Sequence, residues 1–249
     1  QAANTMAYAD EELIELAKCV NAAHPIALSV VDTFGAMYPD DLARIVGILD
    51  RHLDKDIRLG FHSHNNRQLS FALTMYFVTL LKNSERGVIV DASLCGMGRG
   101  AGNATTELVA GYLNDKQHGN YDMDAIMDAI DIYMQGFQEK YDWGYSTPYL
   151  IAGMYQCHVN NIAYLQKNHR ANAHDMRNVI ASLSEEERRH YDYDLLEKKY
   201  LENQNRIVDD EVTVGLLKEK LSGRRVLLVA PGKSSIDEKK RILVLIAKE

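Results

Sequence analysis

Three short apolar stretches, each ending in a polar residue, constrain the fold of this chain most strongly. Residues 26–32, 57–62 and 87–91 are rich in apolar and β-branched side chains, and they end at Asp32, His62 and Asp91. These three residues are about 30 positions apart, and a helical stretch fills each interval. Apolar strands that alternate with helices favour an α/β fold with a parallel sheet. Polar residues at the C-terminal ends of such strands are typical of the active edge of a TIM (β/α)8 barrel.

The second of these strands leads into a pair of histidines, His62 and His64. Side chains alternate between the two faces of a strand, so both imidazoles are expected on the same face. Two adjacent imidazoles at a strand end can hold one divalent metal ion. Paired histidines also occur on ordinary protein surfaces, so an ordinary surface pair is the alternative interpretation.

A glycine-rich loop follows the third strand. Residues 91–103 read Asp-Ala-Ser-Leu-Cys-Gly-Met-Gly-Arg-Gly-Ala-Gly-Asn. Glycine at every second position implies close approach of the backbone or positive φ angles. The loop matches neither the dinucleotide fingerprint nor the P-loop pattern. A helical stretch begins just after Asn103, so a plain helix N-cap is the alternative to a functional role for this residue.

Composition excludes several classes of protein. The net charge of −7 over 249 residues argues against a general nucleic-acid binder, which needs clustered Lys and Arg. The sequence contains no run of about 20 apolar residues, so it predicts no membrane span. The three cysteines, Cys19, Cys95 and Cys157, are scattered without a paired motif, which favours a reducing compartment such as the cytoplasm.

The sequence predicts three parts along the chain. Residues 1–120 carry the strand signals and are predicted to be the C-terminal half of the barrel. Residues 121–205 read as a helical domain, with helices over 123–140, 149–167, 173–183 and 185–200. Residues 206–249 read as a linker helix at 212–221, a strand at 225–230 and the start of a further α/β unit. Cys157 and His158 fall in the apolar helix over 149–167 and are interpreted as core or interface residues.

Three motifs together resemble one known family. Residues 32–35 (Asp-Thr-Phe-Gly), 60–66 (Gly-Phe-His-Ser-His-Asn-Asn) and the glycine loop over 91–103 resemble the HMG-CoA lyase-like family of metal-dependent TIM-barrel aldolases. The likeness is strongest to the 4-hydroxy-2-oxovalerate aldolase branch, whose loop has the same shape. The resemblance covers about residues 1–115, with a fainter likeness over 140–167. Three motifs in the same order are far more specific than any one of them.

The resemblance implies a role for each matched residue. His62 and His64 match the paired metal ligands, and Asn103 matches an asparagine that binds metal in the lyase branch. Tyr145 matches a tyrosine that handles protons, and Asp32 matches a polar strand end that lines the pocket, so both are candidate catalytic residues. The implied cofactor is a divalent metal ion, with Mn²⁺, Mg²⁺, Co²⁺ and Zn²⁺ all open.

Two departures from the family pattern affect the expected chemistry. The third family ligand, an aspartate after an arginine on the first barrel strand, has no counterpart in this chain. The catalytic cysteine of the lyase branch aligns with Leu94, one position before Cys95, and that role is therefore not transferred.

The resemblance implies an enzyme that cleaves or forms a carbon–carbon bond of a 2-keto acid through a pyruvate enolate. An acyl-CoA lyase or Claisen condensation enzyme and a non-catalytic barrel scaffold are the alternatives. A homo-oligomer and a partner dehydrogenase are both open as assemblies. Only three barrel strands can be read, with a stub of a fourth near residues 1–5, whereas a closed barrel has eight. The chain alone is therefore expected to be inactive.

Overall fold

The computed structural model of the chain describes residues 1–205, 210–224 and 238–246. Residues Gln1–Gln204 form one compact unit and Asn205–Glu249 are assigned to a second. In the first unit the sheet and its helices are β1 (Ala27–Asp32), β2 (Arg58–Ser63), β3 (Val88–Val90), α1 (Asp10–Ala23), α2 (Pro39–His52), α3 (Ser70–Leu80) and α4 (Thr106–Asp115). The remaining helices of this unit are α5 (Met123–Ala129), α6 (Gln135–Gln138), α7 (Thr147–Met154), α8 (Val159–His169), α9 (Ala173–Ala181), α10 (Glu185–Arg189) and α11 (Tyr193–Gln204). The second unit contains α12 (Glu211–Leu221) and α13 (Lys239–Ile246).

The three strands form a parallel sheet in the order β1-β2-β3. Val31 pairs with His62, and Phe61 pairs with Val90, so the C-terminal ends of the strands meet at one edge. The β-α alternation predicted from the sequence is confirmed. The predicted stub near the N-terminus corresponds to a single parallel bridge from Ala2 to Val30, beside β1.

Alternation along β2 separates a packing face from a functional face. Leu59 and Phe61 are buried in an apolar core with side chains of α1, α2 and α3. Phe61 lies against Phe77 of α3, with ring centroids 5.4 Å apart. Burial of a side chain of this size stabilises the fold by about 1.5–3 kcal/mol. Because side chains alternate, His62 projects from the opposite face of the sheet.

The helical region has a second apolar core, built from α7, α8, α9 and α11. The helix predicted over 123–140 is α5, a π-helical turn (Ile130–Met134) and α6. The prediction of one continuous helix over 149–167 is wrong in one respect, because the helix is interrupted between α7 and α8. Gln156 has a left-handed backbone, with φ of 49°. The stretch over 185–200 is likewise divided into α10 and α11.

The predicted domain boundary near residue 120 falls within the first compact unit, whereas the predicted boundary at 205 is close to its end. The helix predicted at 212–221 corresponds to α12. The strand predicted at 225–230 and the turn after it lie outside the described residues. None of the described helices is long and apolar enough to cross a membrane.

Candidate functional site

The two histidines lie side by side at the C-terminal edge of the sheet. His62 is in β2 and His64 follows the strand directly. Their ring centroids are 5.0 Å apart, with the rings nearly perpendicular at 86°. The expectation that both imidazoles share one face is met, and the pair opens into a cavity.

Each imidazole is held through its Nδ1 atom. His62 Nδ1 is 3.3 Å from Oδ2 of Asp91, at the end of the neighbouring strand. His64 Nδ1 donates to the backbone oxygen of Asp32 at 2.8 Å. Burial lowers the pKa of His64, so its neutral form is favoured. A partner on Nδ1 fixes the ring and leaves Nε2 to coordinate, which is the usual arrangement around metal-ligating histidines.

Asn103 lies beside this pair. It forms an isolated antiparallel bridge with His64, so the two residues are adjacent across the backbone. Its amide nitrogen donates to the backbone oxygen of Met97 at 3.0 Å, which leaves the amide oxygen to accept or coordinate. The N-cap alternative is wrong, because the N-cap of α4 is Thr105.

The shape of the glycine loop keeps Asn103 in place. Gly102 has φ of +79°, and a Cβ atom there would lie 2.2 Å from the backbone oxygen of Gly96. The Asn103 backbone N–H donates to that same oxygen at 3.0 Å. From the helical region, the Trp143 indole N–H donates to the backbone oxygen of Cys95 at 2.9 Å. The loop is therefore tied both to itself and to the segment before α7.

A cavity of about 370 Å³ adjoins these residues. Its lining consists of Thr33, Phe34, His62, His64, Asn66, Arg99, Asn103, His158 and Val159. Among the residues that the structure describes, neither Asp nor Glu lines it. The cavity therefore combines one guanidinium with three imidazoles in a chain whose net charge is −7. The Arg99 guanidinium gives the cavity a positive charge that suits a small anion.

Asp32 does not line the cavity, although its strand end does. Its carboxylate is buried and accepts hydrogen bonds from the backbone N–H groups of Ala36 at 2.8 Å and Met37 at 3.3 Å. Burial raises the pKa of this carboxyl to about 6 despite those donors. The part of Asp32 that reaches the site is its backbone oxygen, which accepts the hydrogen bond from His64. A catalytic role for its carboxyl stays a prediction.

Tyr145 also lies away from the cavity lining and is 52% exposed. It belongs to the segment that binds the glycine loop, since the Gly144 N–H donates to the backbone oxygen of Gly100 at 3.0 Å. Its role in proton handling stays a prediction.

Three residues of the cavity lining were not predicted as site residues from the sequence. Arg99 is in the glycine loop, and Asn66 is a buried residue whose amide donates to the Tyr149 backbone oxygen at 2.9 Å. His158, interpreted as a core or interface residue, is half-buried and also lines the cavity at the start of α8. Cys157, its neighbour, is fully buried in the core as predicted. Proximity to the histidine motif was the available signal for Asn66.

The donor set suits a divalent metal ion only in part. Two imidazoles and one amide oxygen are acceptable ligands for the ions considered. Within the described residues, no group of three or more His, Cys, Asp or Glu side chains could hold a metal ion. The described residues therefore do not supply the carboxylate ligand that the family pattern includes, and further oxygen ligands would be needed to complete the coordination.

A sequence model of the HMGL-like family matches residues 3–132, which is more than half of the chain. The chain belongs to the HMGL-like family. The match includes the three strands, His62, His64 and the whole glycine loop, and it identifies the parallel sheet as part of an α/β, TIM-barrel-like fold.

Curated relatives point to the same family. The 4-hydroxy-2-oxovalerate aldolase of Thermomicrobium roseum is 39% identical over 123 residues, covering 49% of this chain and 32% of the relative. The same-named protein of Chloroflexus aurantiacus is 37% identical over 123 residues, covering 49% of this chain and 34% of the relative. The chain thus spans about a third of the length of these relatives.

Solved structures agree on the fold. The N-terminal domain of a proposed aldolase from Bacteroides vulgatus has a TM-score of 0.56 at 24% identity, covering 67% of this chain and 52% of that one. The carboxyl transferase domain of Rhizobium etli pyruvate carboxylase, solved with pyruvate and biocytin, has a TM-score of 0.53 at 14% identity, covering 94% of this chain and 46% of that one. The second likeness extends over the helical region as well as the sheet.

Proposed function

We propose that this chain carries part of the active site of a divalent-metal-dependent aldolase or lyase, which cleaves or forms a carbon–carbon bond of a 2-keto acid. The observation that carries the proposal is the placement of His62, His64 and Asn103 side by side on one cavity. The names of the relatives in the HMGL-like family support the same reaction class. As the chain spans about a third of those relatives, the remaining parts of the site are outside the proposal.

The Nε2 atoms of His62 and His64 and the amide oxygen of Asn103 would hold the metal ion. When bound, such an ion acts as a Lewis acid that polarises the keto group. Asp91 and the Asp32 backbone oxygen keep the two imidazoles oriented through Nδ1. The fixed orientation avoids the cost of reorganising the site during the reaction.

Aldol cleavage also needs groups that take and return a proton. We propose Tyr145 and Asp32 for these steps. Tyr145 is on the segment hydrogen-bonded to the glycine loop, and its side chain is about half exposed. The pKa of Asp32, raised to about 6, suits a base that works near neutral pH.

The ligand assignment predicts the behaviour of His62→Ala. We expect this variant to lose at least about tenfold in Mn²⁺ affinity, because one coordinating imidazole is removed. Pyruvate release from a 4-hydroxy-2-keto acid by the intact protein should fall in parallel. Metal stoichiometry by mass spectrometry and a coupled pyruvate assay measure the two effects. His174→Ala, an exposed histidine on α9, is the matched control and should change neither. Unchanged metal content in His62→Ala would refute the assignment.

The choice between free keto acids and acyl-CoA thioesters gives another prediction. Cys95, the cysteine of the glycine loop, is outside the cavity lining, and partial burial and Glu107 raise the pKa of its thiol. Both features disfavour a reactive thiolate. We expect the intact protein to release pyruvate from 4-hydroxy-2-keto acids and to leave HMG-CoA uncleaved. Parallel assays of the two substrates decide this, and thioester cleavage without pyruvate release would place the protein in the lyase branch instead.

A further inference from the structure

Arg99 is a cation without an assigned role. It lies between Gly98 and Gly100 in the glycine loop and lines the cavity. Within the described part of the chain, none of the ion pairs involves its guanidinium. Positive charge from Arg99 reaches His158, whose pKa it helps to lower after the larger effect of burial. The guanidinium is thus close to the cavity and free of a protein carboxylate.

His158 provides a directed hydrogen-bond donor in the same cavity. It is the N-cap of α8, and its Nδ1 accepts a hydrogen bond from the Asn160 backbone N–H at 3.1 Å. A neutral imidazole that accepts at Nδ1 carries its proton on Nε2. Burial, Arg99 and His190 lower the pKa of His158, which favours this neutral form. The Nε2–H group is then available to a ligand.

The beginning of α8 also favours an anion in this cavity. Val159, the first residue of this 11-residue helix, lines the cavity beside His158. The N-terminal end of a helix carries partial positive charge that favours anions. A guanidinium, an N–H donor and a helix N-terminus therefore meet where no described carboxylate lines the wall.

We infer that Arg99 and His158 form an anion subsite that binds the carboxylate of the 2-keto acid. The identity of the ligand rests on the proposed function, whereas the subsite itself rests on these two residues and the cavity. A planar guanidinium matches a carboxylate with two parallel hydrogen bonds. The subsite lies in the same cavity as His62, His64 and Asn103, so one small molecule can contact both groups. The subsite should also bind a free keto acid more tightly than the neutral ester of that acid.

Calorimetric titration of the protein with pyruvate and with methyl pyruvate, both in EDTA, tests this inference. The wild type should bind pyruvate about tenfold more tightly than the ester, because the subsite binds the charged group. Arg99→Gln should raise the Kd for pyruvate about tenfold and leave the Kd for methyl pyruvate unchanged. Arg99→Lys, which keeps the charge without the planar fork, should retain part of the preference.

His158→Asn isolates the second contact. Asparagine is a good N-cap residue, so α8 keeps its start while the Nε2–H donor is lost. We expect the Kd for pyruvate to rise about threefold. Arg51→Gln, which removes one positive charge from the exposed surface of α2, controls for net charge and should change nothing. Unaltered melting curves establish that the variants are folded.

The outcomes separate this inference from the proposed function. An unchanged preference for pyruvate in Arg99→Gln overturns the subsite, even when the intact protein binds metal and releases pyruvate. Loss of the preference in Arg99→Gln supports the subsite, even when His62→Ala shows no effect on metal content. Equal affinity of the wild type for pyruvate and its methyl ester also overturns it.

Discussion

Replacing Arg86 with methionine is expected to lower the free energy of unfolding by about 3–5 kcal/mol, the range for breaking a buried charge network. The Arg86 side chain is fully buried, and its Nε donates to Oδ1 of Asp50 at 2.8 Å. Its other nitrogens donate to backbone oxygens of Asp50, Leu53, Asp54 and Ile57. The methionine variant leaves these oxygens, at the end of α2 and in the turn before β2, without their shared donor.

Urea denaturation of Arg86→Met measures this loss, with Arg51→Met on the exposed surface of α2 as the control. Partial burial raises the pKa of Asp50, but the hydrogen bond from Arg86 and the charge of Lys55 outweigh it and hold this pKa below 3.8. A depressed carboxyl pKa contributes stability above the unfolded value, and this contribution disappears as the pH falls through the folded value. The deficit of Arg86→Met should therefore shrink below about pH 4. A deficit under about 1 kcal/mol at neutral pH would contradict the network interpretation.

Gly102→Ala is expected to destabilise the protein by at least about 2 kcal/mol and to weaken ligand binding. The φ of +79° costs a residue with a Cβ atom about 1–2 kcal/mol. The added Cβ would also lie 2.2 Å from the Gly96 backbone oxygen, the atom that accepts from the Asn103 N–H. Relief of that clash has to move the loop, and Asn103 moves with it.

The control for this variant is Gly111→Ala, in the middle of α4. A Cβ atom at Gly111 has no described neighbour within 4 Å, and alanine in a helix is favoured over glycine by about 0.5–1 kcal/mol. The two glycine-to-alanine changes should thus shift the free energy of unfolding in opposite directions. Urea denaturation measures both shifts, and titration with pyruvate measures the change at the site. Equal stability of the two variants would show that the loop tolerates the substitution.

Strand alternation was enough to predict the sheet and the histidine pair. The apolar runs ending at Asp32, His62 and Asp91 become adjacent parallel strands, and the period of two places both imidazoles on one face. These features depend on burial and on the geometry of a single strand, which local sequence determines. The direction of the Asp32 side chain could not be predicted from the strand alone. Two backbone N–H groups of the following turn determine it.

The contribution of the helical region could not be predicted in the same way. The residues over 149–167 keep an apolar helical pattern through the break, and the left-handed position in that turn is occupied by Gln156 instead of glycine. That turn ends one helix and starts another, which brings His158 to the cavity. The structural role of Arg86 could not be predicted for a related reason, because its acceptors are backbone oxygens about 30 residues away in sequence.

The tether between Trp143 and the glycine loop gives the protein an internal optical reporter. Trp143 is the only tryptophan of the chain, and its indole N–H is bonded to the backbone oxygen of Cys95. Indole emission shifts with the polarity and hydrogen bonding around the ring. With excitation selective for indole over the 14 tyrosines, the emission therefore comes from one known point beside the loop that holds Asn103. A rearrangement of this loop that breaks the bond to the Cys95 oxygen would therefore change the indole emission.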